Sequence, residues 1–265
     1  MLLHSLRSLY VDPVHSDWTV VCGAERFAVH RCILSMHSEV FAKGFIRNVE
    51  WRPDDRQTLL NDDPILVKNM IKYMYTGNYS APEIANITTT AADSSHDGPS
   101  EGTDLGLEPA EASNDFESSH PPQDHFGAGQ TEMSQNSAVL SFHINIYALA
   151  ETFQIHGLKA LARSYFEHSL ERCLNSVPFT RVVEEVYSAT PANDRGLRDT
   201  VVSIALRHLL ELRNSNSLPD DFLKGNGKES RYFTRDLCVA VIHRVEGASF
   251  GINAGWNWGM HGSFR

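Results

Sequence analysis

At 265 residues, 42% of them hydrophobic and with a mean hydropathy of −0.29, the chain can bury a sizeable core in one or two domains. Its formal net charge of −10 is local: residues 81–138 hold eleven of the 33 acidic side chains and no Lys or Arg, leaving 22 acidic against 23 basic residues elsewhere. A near-neutral body with an acidic arm has no footprint for phosphate backbones, which argues against direct nucleic-acid binding. No run approaches the ~18 apolar residues needed to span a membrane.

In chain order, Met1 to Arg7 is too short and too interrupted for a secretory leader. Leu3, Leu6 and Leu9 recur at i, i+3. Ser16 to Cys22 alternates as a half-buried strand, Gly23-Ala24 makes a turn, and Glu25 to Arg31 forms a second alternating strand that leads directly into a helix. Cys32–Ser38 and Glu39–Arg47 read as two short helices, the second presenting Val40, Phe41, Phe45 and Ile46. Thr58–Leu60 is a short strand. Asp63-Pro64 then starts a helix, with Asp as N-cap and Pro where its missing N–H costs nothing. Val67, Met70, Ile71 and Met74 give that helix one apolar stripe, and Gly77 ends it.

Residues 82–138 are rich in Ser, Asp, Glu, Gly, Pro and Asn, and their few large apolar residues follow neither period. Such a stretch cannot offset an ordering cost of ~1–2 kcal/mol per residue, so a disordered acidic insertion is expected. Beyond it the pattern is helical. Ile146, Leu149, Ala150 and Phe153 share one face, with Gly157 as the expected C-cap. Leu158, Leu161, Ala162 and Tyr165 make the next helix. Pro178 opens another, Asp194 caps a fourth running to Leu212, and a last spans about Thr234 to Val245. Residues 248–265 form a Gly-rich tail with Trp256 and Trp258 at no regular period.

No catalytic or cofactor motif is present. The thirteen histidines form no HExxH, HxH or Cys/His quartet, and there is no GxSxG, P-loop or GxGxxG. No cofactor or metal is therefore expected, and an enzyme is disfavoured. Cys22, Cys32, Cys173 and Cys238 lack framework spacing, which predicts reduced, mostly buried thiols and a cytoplasmic or nuclear setting.

Several marks fall in one order: Asp17 with Val20-Val21, Phe27 with Val29-His30-Arg31, Leu34 with Ser38, Phe41, Leu60 with Asp63-Pro64, and Tyr73 through Tyr79. In that order the chain resembles the BTB/POZ domain family, and the wording Asp62-Asp63-Pro64 with Tyr73-Met74-Tyr75-Thr76-Gly77-Asn78-Tyr79 looks like the form common in filamentous-fungal members. The resemblance implies an α+β fold, a short mixed sheet flanked by helices, built from residues 9–80 and 140–174. The 82–138 insertion would interrupt it, and a helical extension over 177–247 would follow.

The resemblance also implies a non-enzymatic protein–protein interaction module that forms a homodimer and recruits protein partners. It places Asp17 and Arg31 in a charged pocket near the dimer interface. The alternative reading is that Asp17 satisfies backbone donors at a strand edge while Arg31 caps a helix. Candidate interface residues are Leu3, Leu6, Leu9, Phe41, Phe45, Ile46 and Val49; the alternative places Phe41 and Phe45 in the monomer core, which is the favoured reading for Phe41, while Ile46 is the favoured interface residue. A cullin-recruiting adaptor is the other functional class, but Arg47 stands where the cullin-binding pattern wants Glu. A redox thiol at Cys32 is a third.

Overall fold

The computed structural model describes residues 2–47, 57–81 and 126–249. Three strands, β1 (Trp18–Cys22), β2 (Glu25–Val29) and β3 (Gln57–Leu60), form a sheet of order β2-β1-β3. β1 pairs antiparallel with β2, from Trp18↔Val29 to Cys22↔Glu25. Gly23 makes the two-residue turn possible at φ 59. β1 runs parallel to β3, which requires the crossover that the intervening helices supply. The alternation expected for β1 gives way to near-continuous burial, because a central strand is covered on both faces. β2, at the edge, leaves Glu25, Arg26 and Ala28 exposed.

Helices α1 (Leu2–Val11), α2 (Arg31–His37), α3 (Glu39–Arg47) and α4 (Pro64–Thr76) pack around this sheet. α4 follows its sequence signals closely. The Asp63 carboxylate accepts the Ile65 N–H at 2.8 Å, Pro64 occupies the first turn, and Gly77 closes the helix in the left-handed region at φ 70.

The insertion boundary differs from expectation. α5 (Phe126–Thr152) begins inside the stretch read as disordered to 138, so residues 126–138 belong to a helix. Gln, Ala, Met and Glu in that stretch are good helix formers, and the apolar segment downstream supplies the anchor they lack alone. From Leu140 to Ala150 the helix is buried on almost every side, with only Asn145 exposed. It is thus a central core helix and not the one-faced element its spacing suggested.

Gly157 is not its C-cap. Gln154 takes the left-handed turn at φ 54, and Gly157 lies in the first turn of α6 (His156–Cys173). A Cβ there would come within 2.2 Å of the Tyr73 hydroxyl, so glycine at this position lets α4 approach α6.

The remaining helices are α7 (Phe179–Ala189), α8 (Gly196–Arg207), α9 (Leu209–Asn214), α10 (Asp220–Leu223) and α11 (Lys228–Ser249). The helix expected from Asp194 to Leu212 breaks at His208, and the last helix starts six residues before Thr234. α7 packs on α5, and α11 on α7 and α8. A continuous hydrophobic core runs from Trp18 and Val20 through α5 and α6 to Phe233 and Leu237, so the C-terminal helices share the core of the sheet region.

Two polar clusters sit inside this helical part. Lys159 bridges Glu151 at 2.5 Å and Asp194 at 2.8 Å, while Asp194 also accepts the Tyr147 hydroxyl at 2.6 Å and the Gly196 N–H at 3.2 Å. The buried Arg198 guanidinium lies 4.6 Å from the Tyr187 ring centroid and donates to Thr190 and to the Tyr187 carbonyl. Asp236 of α11 receives Arg195 at 2.6 Å and the Tyr187 hydroxyl at 2.9 Å, pinning α11 to α7. Asp194, Arg198 and Asp236 thus each have an ion-pair or hydrogen-bond partner that offsets part of their desolvation.

The closure between the two ends of the core is explicit at Ser38. Its hydroxyl donates to the Phe153 carbonyl at 2.6 Å and accepts the Phe41 N–H at 3.2 Å. Ser38→Ala leaves that buried carbonyl unpaired and is expected to cost about 1–3 kcal/mol in urea denaturation, against under about 0.5 kcal/mol for the exposed Ser188→Ala.

Candidate functional site

Asp17 and Arg31 meet where β2 runs into α2. The Asp17 carboxylate accepts the Arg31 backbone N–H at 2.9 Å. His30, the residue at the cap position, makes no side-chain cap, so Asp17 supplies from the neighbouring strand the acceptor that the helix start lacks. The Arg31 side chain turns the other way. Its Nη2 donates to the Phe45 carbonyl in the last turn of α3 at 3.0 Å, and its Cζ lies 5.3 Å from the Trp18 ring centroid and 5.1 Å from that of Phe45. An anion thus faces one helix N-terminus and a cation one helix C-terminus, each complementing the helix dipole. This is the helix-end arrangement of the alternative reading.

His30 locks the same corner. Its Nε2 lies 2.9 Å from the Val14 carbonyl and its Nδ1 2.9 Å from the Tyr75 hydroxyl, which also accepts the His30 N–H at 2.8 Å. These contacts fit a ring that donates from Nε2 and accepts at Nδ1. Burial pushes the Tyr75 hydroxyl up to about 12, keeping it a proton donor. The sequence named His30-Arg31 as a mark but gave no sign of this lock, because its partners lie 16 and 45 residues away.

The candidate interface residues separate on inspection. Phe41 and Phe45 are buried within this chain, Phe41 stacked 5.2 Å from Phe153 and Phe45 edge-on to Trp18 at 5.1 Å. Both therefore serve the core of one copy and present no surface. Leu6 and Leu9 are half-buried, with α1 lying against α4 and Tyr10 5.9 Å from Tyr75. The side chains of Leu3 and Ile46, and Val49 altogether, fall outside the described residues, as do Trp256 and Trp258.

The exposed apolar residues of this region are different ones: Val11 at 83%, Met36 at 84%, Val14 and Val40. Cys32 and Cys238 are also exposed, which corrects the expectation of mostly buried thiols; both sit opposite the apolar residues that anchor their helices.

A second cluster adjoins the insertion. The Tyr79 hydroxyl lies 2.8 Å from His143 Nδ1, the Tyr165 ring packs against both, and the Tyr165 hydroxyl donates to Asn78 at 2.7 Å. Burial pulls His143 down to about 4 and raises the Tyr79 hydroxyl. Among the described residues no group of three His, Cys, Asp or Glu side chains could hold a metal ion. Among them, too, no helix is long and apolar enough to cross a membrane.

A parallel and antiparallel three-stranded sheet, a capped α4 and a site made of helix ends define a small α+β domain. Residues 7–94 match the family model of the BTB/POZ domain, and this part of the chain is a BTB/POZ domain. The domain is a protein–protein interaction module of a typically non-catalytic family.

Two outcomes test this local chemistry. Asp17→Ala removes the acceptor at the start of α2 and is expected to lower stability by about 1 kcal/mol, read from the urea midpoint at constant slope. His143 is held below its ordinary value, so the unfolded chain binds the proton first. The stability it contributes is complete above about pH 6.5 and declines as pH falls towards 4, by at most about 3 kcal/mol. His143→Gln should remove this part of the pH dependence in urea titrations at pH 7.5 and 4.5, with equal slopes in both chains counting against it.

Proposed function

We propose that the chain is a non-enzymatic assembly protein that self-associates through its BTB/POZ domain and gathers protein partners. The observation that carries this reading is the set of apolar side chains left exposed at the end of α1, just beyond it and on α2: Val11, Val14 and Met36. His30 ties the Val14 carbonyl to the start of α2, the helix on which the exposed Cys32 and Met36 stand. Apolar side chains left in water on a rigid corner suit a protein interface, and the corner is rigid because Asp17, His30 and Arg31 are each bonded into it.

In this reading residues 9–80 and 140–174 form one domain, because α5 packs against α4 and α6 packs against α5. Residues 177–247 extend it. The free cysteines fit a reducing compartment, cytoplasm or nucleus. A cullin adaptor is the less favoured class, since Arg47 reverses the charge that such recruitment uses.

Light scattering after size exclusion is expected to give a dimer mass for the full chain and for the chain lacking residues 82–125. Met36→Asp should weaken that dimer at least about tenfold without changing the far-ultraviolet circular dichroism. A monomer mass for the unmutated chain at micromolar concentration would contradict the reading, and cullin capture by that monomer would favour the adaptor instead.

A further inference from the structure

The exposed side of α2 carries two sulfur atoms. Cys32 and Met36 stand one helical turn apart and share a face, turned away from the buried Ile33 and Leu34. Met36 is 84% exposed and Met133 of α5 42%, whereas Met70 and Met74 of α4 lie in the core at 0% and 2%. The Met36 thioether therefore meets solvent without the packing that shields its counterparts in α4. Val11, Val14 and Val40, the other exposed apolar residues of this region, do not react with peroxide.

A methionine so placed has two chemistries. Reduced, it is a flexible apolar side chain that suits a protein contact. Its sulfur is also a nucleophile towards peroxides. The lone pair attacks one peroxide oxygen, an S–O bond forms as the O–O bond breaks, and the departing oxygen takes up a proton and leaves as water. The sulfur is oxidised by two electrons and the peroxide is reduced by the same two. The sulfoxide is polar and a strong hydrogen-bond acceptor, so burying it against apolar side chains without a donor is unfavourable. Because Met36 touches water and not the core, the change alters this surface and leaves the fold in place.

We propose that Met36 is a reversible oxidation site, and that a peroxide releases the self-association of the chain by converting this side chain to its sulfoxide. The release rests on the self-association proposed above, with Met36 at the contact. A reductase that returns the sulfoxide to the thioether restores the apolar surface and the assembly with it.

The full chain is treated with hydrogen peroxide in a Cys32→Ser/Cys238→Ser background, which removes both exposed thiols from the readout. Peptide mass spectrometry should show the gain of one oxygen at Met36 at least about tenfold sooner than at Met70 or Met74. Light scattering across a dilution series should show the dimer dissociation constant raised at least about tenfold, and restored by methionine sulfoxide reductase with dithiothreitol. Met36→Leu should keep its mass through the same treatment although Met133 still oxidises, and Met36→Gln should weaken association with no oxidant present. Oxidation of Met36 no faster than that of Met70 overturns the proposal, as does an oxidised chain that keeps its mass or a Met36→Leu chain that dissociates in peroxide. A monomer before any peroxide is added is a distinct result: it contradicts the self-association itself, and the release falls with it.

Discussion

The packing of α5 against α4 is the constraint on which the rest of this molecule depends. α4 offers Val67, Met70, Ile71 and Met74 to a core that the three-stranded sheet cannot fill alone, and α5 supplies Leu140, Ile144, Ile146 and Phe153 to complete it. The Ser38–Phe153 hydrogen bond and the Phe41–Phe153 stack tie the end of α5 to the junction of α2 and α3 across 115 residues of sequence. Once α5 is in place, α6 and α7 have a surface to pack on, and α8 and α11 follow.

The long segment between Ala81 and Phe126 is compatible with that closure because loop entropy grows only logarithmically. A 44-residue connection costs about 2 kcal/mol more than a six-residue one, less than burying a single large side chain of α5 returns. An insertion can therefore lie within a domain without dividing it.

Much of the fold was legible in the residues, for reasons that can be named. Gly23, Asp63-Pro64 and Gly77 act through local backbone geometry, and each sits in the structure where its chemistry called for it. Gly157 misled because its role is steric: it leaves room for the Tyr73 hydroxyl, a contact 84 positions distant that no local rule anticipates. The start of α5 was hidden because residues 126–138 gain their helix from the buried segment after them. Phe41 and Phe45 look the same in sequence whether a partner or the chain itself covers them, and only their neighbours Trp18 and Phe153 decide. Asp17 and Arg31 were legible as a backbone acceptor and a helix cap, but not their partners, the Arg31 N–H at the start of α2 and the Phe45 carbonyl at the end of α3.

The central claim is that sheet and C-terminal helices form one cooperative unit. Differential scanning calorimetry of the full chain tests it most directly. A shared core predicts one transition whose calorimetric and van't Hoff enthalpies agree. Two resolved transitions, one surviving the loss of the other, would contradict it and would mean that α7 to α11 fold as a separate domain.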